Sequence, residues 1–395
     1  MIQLLLLVSL FAQGEPCDPT INPDRELTIV DPNVVNDARA DAGGPWHMSS
    51  LLKEMLPESA TASDLARFVS RFLKKSKETT RVNGFDLRFP GFALGERAIC
   101  RWLKETSGVS CEVAEEVGPA RIPYKLIAIV NRLDLEGHFL DRAEGRFVFG
   151  AVSLPTDKPG TNPTTLGVPE TVIFEYHLPA KTEADRKQWA RDWHALSDSS
   201  LSCNTPQDCE VYRQALQKVT DRFSRRGLVS GKPNGNSIGQ IRTSHVAPGE
   251  PSLWTFRQFE LEGEGIHADL VSAPVAQTPN HSLDNSEELK TLLNQNAQSV
   301  LDKKFVIPRN LLGGEAILDE SQPSQWQLAG VDPAVKNAFA SETCNGCHRV
   351  DNIKDDFFQI SPLGPPSMGR ERLSDFLAID ETPKRVANMK RLLCD

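Results

Sequence analysis

Cys344-Asn345-Gly346-Cys347-His348 gathers two thiols and an imidazole within five residues, close to the end of a 395-residue chain. C-x-x-C-H is the spacing at which two cysteine sulfurs add across the vinyl groups of one haem, while the adjacent histidine binds the iron. Cys344 and Cys347 are therefore the expected covalent anchors of one haem c, and His348 the expected proximal ligand. Three other chemistries use the same residue types. A structural zinc site wants a fourth ligand at recognisable spacing, and the chain has no second C-x-x-C. A redox dithiol wants its cysteines to open a helix after a strand, whereas these close a predicted helix. An ordinary disulfide between the two remains open.

Further acids and histidines invite an enzymatic account of the rest of the chain, a secreted hydrolase among the alternatives. Glu175 and His177 alternate on one strand face, where they could exchange protons; a hydrogen-bonded pair on a sheet is the plainer account. Asp134, Glu136 and His138 fall in a turn, and Asp192 and His194 on a helix at a spacing that does not face them together. Gly235-Asn-Ser237-Ile-Gly239 matches G-x-S-x-G, but a turn precedes it and a strand-like run follows, so it reads as a loop. H-E-x-x-H, P-loop and G-x-G-x-x-G patterns are absent, and so is a second C-x-x-C-H, which counts against a dihaem peroxidase.

The six cysteines outside the motif point to an oxidising compartment. Cys203 and Cys209 enclose a turn-forming loop, Cys100 and Cys111 form a second candidate pair, and Cys17 with Cys394 would tie the two ends together. Residues 2–12 form an apolar run followed by the small-x-small sequence Ala12-Gln13-Gly14, so residues 1–14 read as a secretory signal, although no Lys or Arg precedes the run. The expected location is periplasmic or secreted, with no integral membrane segment after signal removal. A net charge of -9 argues against nucleic acid as a partner. A basic redox protein is compatible with it.

The elements that must position these groups divide the chain into four parts. Residues 15–45, rich in Asp, Pro and Asn, predict an extended lead-in. Residues 46–329 predict an α+β body. A helix with apolar residues at i, i+3, i+4, i+7 and i+8 starts at Leu65, capped by Thr61 or Ser63, and another spans about 95–105. Strands are predicted from Lys125, Gly145, Glu170, Ser237 and Leu253, with a weaker one over 268–275, and helices over 182–196, 210–226 and 286–301. Grouped strands with little β-α alternation predict a largely antiparallel sheet with flanking helices. Residues 330–395 predict a small, mainly helical haem module, in which Asp332-Pro333 and Thr382-Pro383 each start a helix.

A helix leading into C-x-x-C-H, followed by a terminal helix, resembles the class I cytochromes c. The resemblance implies one-electron transfer, a redox partner protein, terminal helices packed on one another, and a distal Met on a proline-containing loop. Met368, in Pro365-Pro366-Ser367-Met368-Gly369, is the residue that matches; Met389 is the rival, on an apolar helical stripe that suits a core role. An external ligand or an open iron is the remaining alternative. The segments Ala128-Ile-Val-Asn-Arg-Leu-Asp-Leu, Phe174-Glu-Tyr-His-Leu-Pro and Phe339-Ala-Ser-Glu-Thr-Cys-Asn-Gly-Cys-His resemble secreted bacterial proteins of uncharacterised activity that carry a large body before a terminal CNGCH. That likeness implies export and the haem motif.

Overall fold

The computed structural model describes residues 17–75, 81–87, 122, 124–135, 143–153, 165–179, 182–247, 253–319, 326–348 and 357–394. Five segments rich in β-branched and aromatic residues pair as long antiparallel strands: β4 (Tyr124–Arg132), β5 (Glu144–Ser153), β6 (Thr165–His177), β7 (Ile238–Ala247) and β8 (Leu253–Glu262). Short strands β1 (Thr28–Ile29), β9 (Asp269–Ala273) and β10 (Glu315–Asp319) extend the sheet, giving the order β1-β4-β5-β6-β7-β8-β10, with β9 also on β8. A hairpin of β2 (Arg81–Val82) and β3 (Phe85–Asp86) stands apart. The chain is α+β, with eleven helices among the described residues and one large antiparallel sheet of eight strands.

Both faces of the sheet are covered, so apolar residues occur on both sides of the central strands, as in Phe147-Val148-Phe149 and Val172-Ile173-Phe174. On one face Phe147, Phe149, Val172, Phe174, Tyr176, Ile241 and Phe259 form the main core. Helices α3 (Met48–Lys53), α4 (Ala62–Lys75), α5 (Glu183–His194) and α6 (Glu210–Ser224) close over it, with Phe72 edge-on to Phe259 at 5.4 Å and Phe223 against Phe147 at 5.7 Å. Thr61 caps α4 through a hydroxyl that accepts from the Asp64 amide, and Thr182 with Asp185 forms a capping box on α5. The opposite face carries Val130, Val148, Trp254 and Phe256, and Cys344, Phe357, Ile360 and Leu377 pack against it.

Several elements depart from the sequence expectations. Residues 15–45 are not extended where described. Asn22, Asp31 and Asp37 each cap a short helical turn, two of which are α1 (Pro23–Glu26) and α2 (Pro32–Val35), and Leu27, Ile29, Val34 and Val35 enter the main core. The 286–301 helix is broken at Asn296 into α7 (Glu287–Gln295) and α8 (Ala297–Leu301). The final helix, α11 (Thr382–Cys394), does not start at a Thr382 cap, because it continues from a π turn over Phe376–Glu381 in which the Thr382 hydroxyl donates to Leu377 O at 2.7 Å. It also does not pack on the helix before the motif. Met389 and Leu392 join the main core, whereas Val335 and Phe339 of α9 (Pro333–Glu342) join a separate core with Leu289, Leu293 and Trp326.

Disulfides link Cys17 to Cys394 and Cys203 to Cys209. Cys100, Cys111, the expected helix over 95–105 and the signal sequence lie outside the described residues. Among the described residues no helix is long and apolar enough to cross a membrane.

His245, on β7 opposite Glu170 and Thr255, is buried beside Arg257, and its Nε2 has no hydrogen-bond partner. Burial, and secondarily the charge on Arg257, pull its pKa down to about 4. The unfolded chain then binds more protons than the folded one between pH 6.5 and 4, so this contribution is complete above 6.5 and is lost as the pH falls. The full shift corresponds to about 3 kcal/mol. Denaturant titrations are expected to show stability falling through that window, and less so in His245→Gln; equal slopes would sink the assignment.

Candidate functional site

The motif is held by the end of α9. Asp332 caps that helix by accepting from the amides of Ala334 (2.8 Å) and Val335 (3.4 Å), with Pro333 in the first turn, where its missing N–H costs nothing. At Thr343 the backbone becomes extended, and a single turn, α10 (Cys344–Cys347), follows. The Thr343 hydroxyl organises the junction: it accepts from the Gly346 amide (3.1 Å) and from Trp326 Nε1 (3.2 Å), and donates to Ala340 O (2.7 Å). Gly346 is required by close approach, since a Cβ there would lie 1.5 Å from Ala340 O. Thr278 anchors the turn to the body by accepting from the Cys344 amide at 2.9 Å.

Cys344 and Cys347 are unbridged and stand at the two ends of this turn. Burial raises both thiols, Cys347 to about 12, so both keep their protons at neutral pH. A catalytic redox dithiol needs the opposite, an easily formed thiolate. His348 follows. Its Nδ1 donates to Phe357 O at 2.5 Å, because a carbonyl can only accept, and this leaves Nε2 as the nitrogen with the lone pair. A carbonyl partner on the other ring nitrogen is the arrangement that orients a metal-binding histidine. Burial pulls His348 down to about 4 and keeps the ring neutral, as a metal ligand must be. The ring packs on Trp254 at 4.6 Å and Phe256 at 5.6 Å, and Trp254 is fixed in turn by donating Nε1–H to Ser244 Oγ at 2.8 Å.

This donor set fits haem c: two protonated thiols three residues apart, and one neutral imidazole with Nε2 available. Among the described residues no group of three or more His, Cys, Asp and Glu side chains converges as a metal site.

Beside the motif, on the same sheet face, lies a buried charged strip. Arg146 reaches Glu144 (2.5 Å) and Glu175 (3.1 Å); Arg242 Nε lies 3.3 Å from Glu175, and Gln240 donates to Glu175 at 2.5 Å. Arg132 pairs with Asp134 at 2.8 Å, and Arg385 of α11 approaches Asp134 at 3.8 Å. Burial raises Glu144, with Arg146 offsetting only part. Burial also works to raise Glu175, but Arg146 and Arg242 overcome it and leave it lowered. The Cys344 thiol feels Arg242, Glu175 and Arg146, and the Cys347 thiol feels Glu381 and Arg132. The strip adjoins the motif, since the Arg242 guanidinium lies 5.4 Å from the centre of the Phe256 ring on which His348 packs.

Met368 stands elsewhere. Residues 361–372 wrap the buried Arg372 guanidinium, which donates to the carbonyls of Ser361 (3.1 Å), Leu363 (2.8 Å), Pro365 (2.5 Å) and Met368 (3.3 Å). The Met368 sulfur packs over Gly364. The loop is pinned to the first part of the chain by Asn36 Nδ2, which donates to Pro366 O (2.9 Å), and by the Arg370–Asp24 ion pair (3.0 Å). That is the β1 side of the sheet, whereas the His348 ring rests on Trp254 and Phe256 of β8. The structure thus brings Cys344, Cys347 and His348 together and does not bring Met368 to them, while Met389 is a core residue. Met368→Leu is expected to leave the visible spectrum of a haem-loaded chain unchanged; altered bands or a lowered potential would place Met368 on the iron.

The other groupings take structural places. Glu175 is locked among two arginines and Gln240, and His177 sits opposite Glu144 with its ring over Gly239. His194 Nδ1 pairs with Glu26 at 2.9 Å, Asp192 pairs with Arg222, and Ser237 Oγ donates to Phe223 O at 2.5 Å, so the G-x-S-x-G serine is a buried loop anchor. Asp134 belongs to the charged strip; Glu136 and His138 lie outside the described residues. Comparison of the chain with protein-family models, with curated proteins and with solved structures finds no match.

Proposed function

We propose that the chain is an exported c-type haem protein that passes single electrons through one covalently held haem to a partner redox protein. One observation carries this: Cys344 and Cys347 are unbridged on one helical turn, and His348 is tied through Nδ1 to Phe357 O so that Nε2 remains for iron. Haem c, when bound, supplies an iron that cycles between two oxidation states without moving heavy atoms. The residues do the rest. Cys344 and Cys347 fix the group, His348 ligates it, Trp254 and Phe256 hold the imidazole plane, and the buried strip sets the local field. Two disulfides suit a periplasmic or secreted location.

The test is the intact mass and visible spectrum of the denatured mature chain, after periplasmic expression with a cytochrome c maturation system. The expected result is a mass raised by one haem that survives denaturation, with sharp bands on reduction. A haem-free mass would overturn the proposal.

A further inference from the structure

Arg242 leaves hydrogen-bonding capacity unused beside the motif. Its side chain is 11% exposed, and its Nε is buried without a hydrogen-bond partner, 3.3 Å from a Glu175 oxygen. That carboxylate has other partners, since Arg146 reaches it at 3.1 Å and the Gln240 amide donates to it. The strip as a whole sets four guanidiniums, on Arg132, Arg146, Arg242 and Arg385, against three carboxylates, on Asp134, Glu144 and Glu175. Glu381, the acid of the turn before α11, is paired with Lys384 at 2.6 Å. One positive charge is thus left over on a covered sheet face, where a cation without a counter-charge is costly and an anion would offset it.

Of the four arginines, Arg242 is tied to the motif by distance. Its guanidinium carbon lies 5.4 Å from the centre of the Phe256 ring, and the His348 ring packs on that same ring at 5.6 Å. Cys344 packs into the same cluster with Trp254 and Phe256. Guanidinium, imidazole and thiol therefore share one aromatic floor, and the first two are no further apart than those two distances laid end to end. A haem carries two ionised propionates on flexible arms at one edge of its ring, and an arm of that length covers such a span. A planar guanidinium is the side chain best matched to a carboxylate, through two parallel N–H donors.

We propose that Arg242 is a haem-binding residue: its guanidinium holds one propionate of the haem that Cys344, Cys347 and His348 attach and ligate. This rests on the haem assignment above and deepens it. The pair is non-covalent, and no electron or proton moves in forming it. It would fix the haem at the edge that neither thioether reaches, and it supplies the anion that the strip lacks. A cation on the order of 10 Å from the iron also favours the reduced state about tenfold.

The experiment is resonance Raman spectroscopy of the reduced, haem-loaded protein, following the propionate-bending band in the native chain, Arg242→Leu and Arg242→Lys, with midpoint potential and intact mass read alongside. In Arg242→Leu the band is expected to shift as the propionate loses its donors, and reduction to become about tenfold less favourable, with the haem mass intact. Arg242→Lys keeps a cation beside Glu175 but loses the planar fork. Its band is expected to shift while its potential stays near the native one. An unmoved band in Arg242→Leu overturns the proposal, even if the potential falls, because Arg242 would then act as a distant charge without touching the haem. If Arg242→Leu fails to fold, Arg242→Lys decides, and an unmoved band there overturns the proposal. A chain without covalent haem overturns the haem assignment itself, whereas a haem-loaded chain with an unmoved band overturns only the role of Arg242.

Discussion

His348→Gly is expected to leave haem covalently bound, because Cys344 and Cys347 are untouched, and to abolish the spectral signature of imidazole ligation completely. The position is well defined: the ring fills a slot against Trp254, Phe256 and the Phe357 carbonyl. Removing it leaves a cavity that the packed aromatic walls cannot fully close. Free imidazole fits that space and offers the same pair of nitrogens, one to donate to Phe357 O and one to bind iron. Most of the native spectrum should return on its addition. Native-like bands in His348→Gly without imidazole would show that iron takes its proximal ligand from elsewhere. The intact mass, read alongside, separates loss of ligation from loss of attachment.

Arg146→Met is expected to cost about 3–5 kcal/mol of folding stability at neutral pH, the range for stripping a partner from buried charge. The size comes from geometry, since one guanidinium serves two buried carboxylates. Arg242 and Gln240 still serve Glu175, so Glu144 bears most of the penalty. Two checks follow from that asymmetry. Lowering the pH should shrink the difference between Arg146→Met and the native chain, because a protonated Glu144 no longer needs a cation. The double substitution Arg146→Met/Glu144→Gln should recover a substantial part of the loss. Denaturant titrations measure both, and a cost below about 1 kcal/mol for the single variant would show the arginine to be dispensable.

The long strands were legible because β-branched and aromatic runs over 125–132, 145–153, 170–177 and 253–262 are unbroken by proline or charge clusters, and α4, α5 and α6 because caps and apolar periodicity agree. β1 was not legible: two residues between helical turns carry no period. β10 was missed because Gly313-Gly314 precedes it and it is only five residues long. The motif announced Cys344, Cys347 and His348 through spacing alone. What stayed hidden is everything that depends on which strands become neighbours. Arg146 and Glu175 lie 29 residues apart in sequence and oppose each other only through the β5–β6 register. Trp254 and Phe256 read as ordinary strand residues until the turn after α9 is laid on them. The apolar stripe of α11 was visible, but a stripe says that a helix is buried and not where. Its partner is the main core and not α9, so the ligand loop expected beside the haem motif is drawn toward residues 24–36.

The bridge between Cys17 and Cys394, together with Met389 and Leu392 lying in one core with Ile21, Leu27 and Val34, makes the beginning of the chain wait for its end. The main core can close only once helix α11 has reached the segment over 21–35. The turn at 344–347 stands apart from that core: Cys344 packs with Trp254 and Phe256, and both of its cysteines are half-buried. Residues near 17–35 and 382–394 thus share one unit of stability, while the motif rests on another part of the sheet.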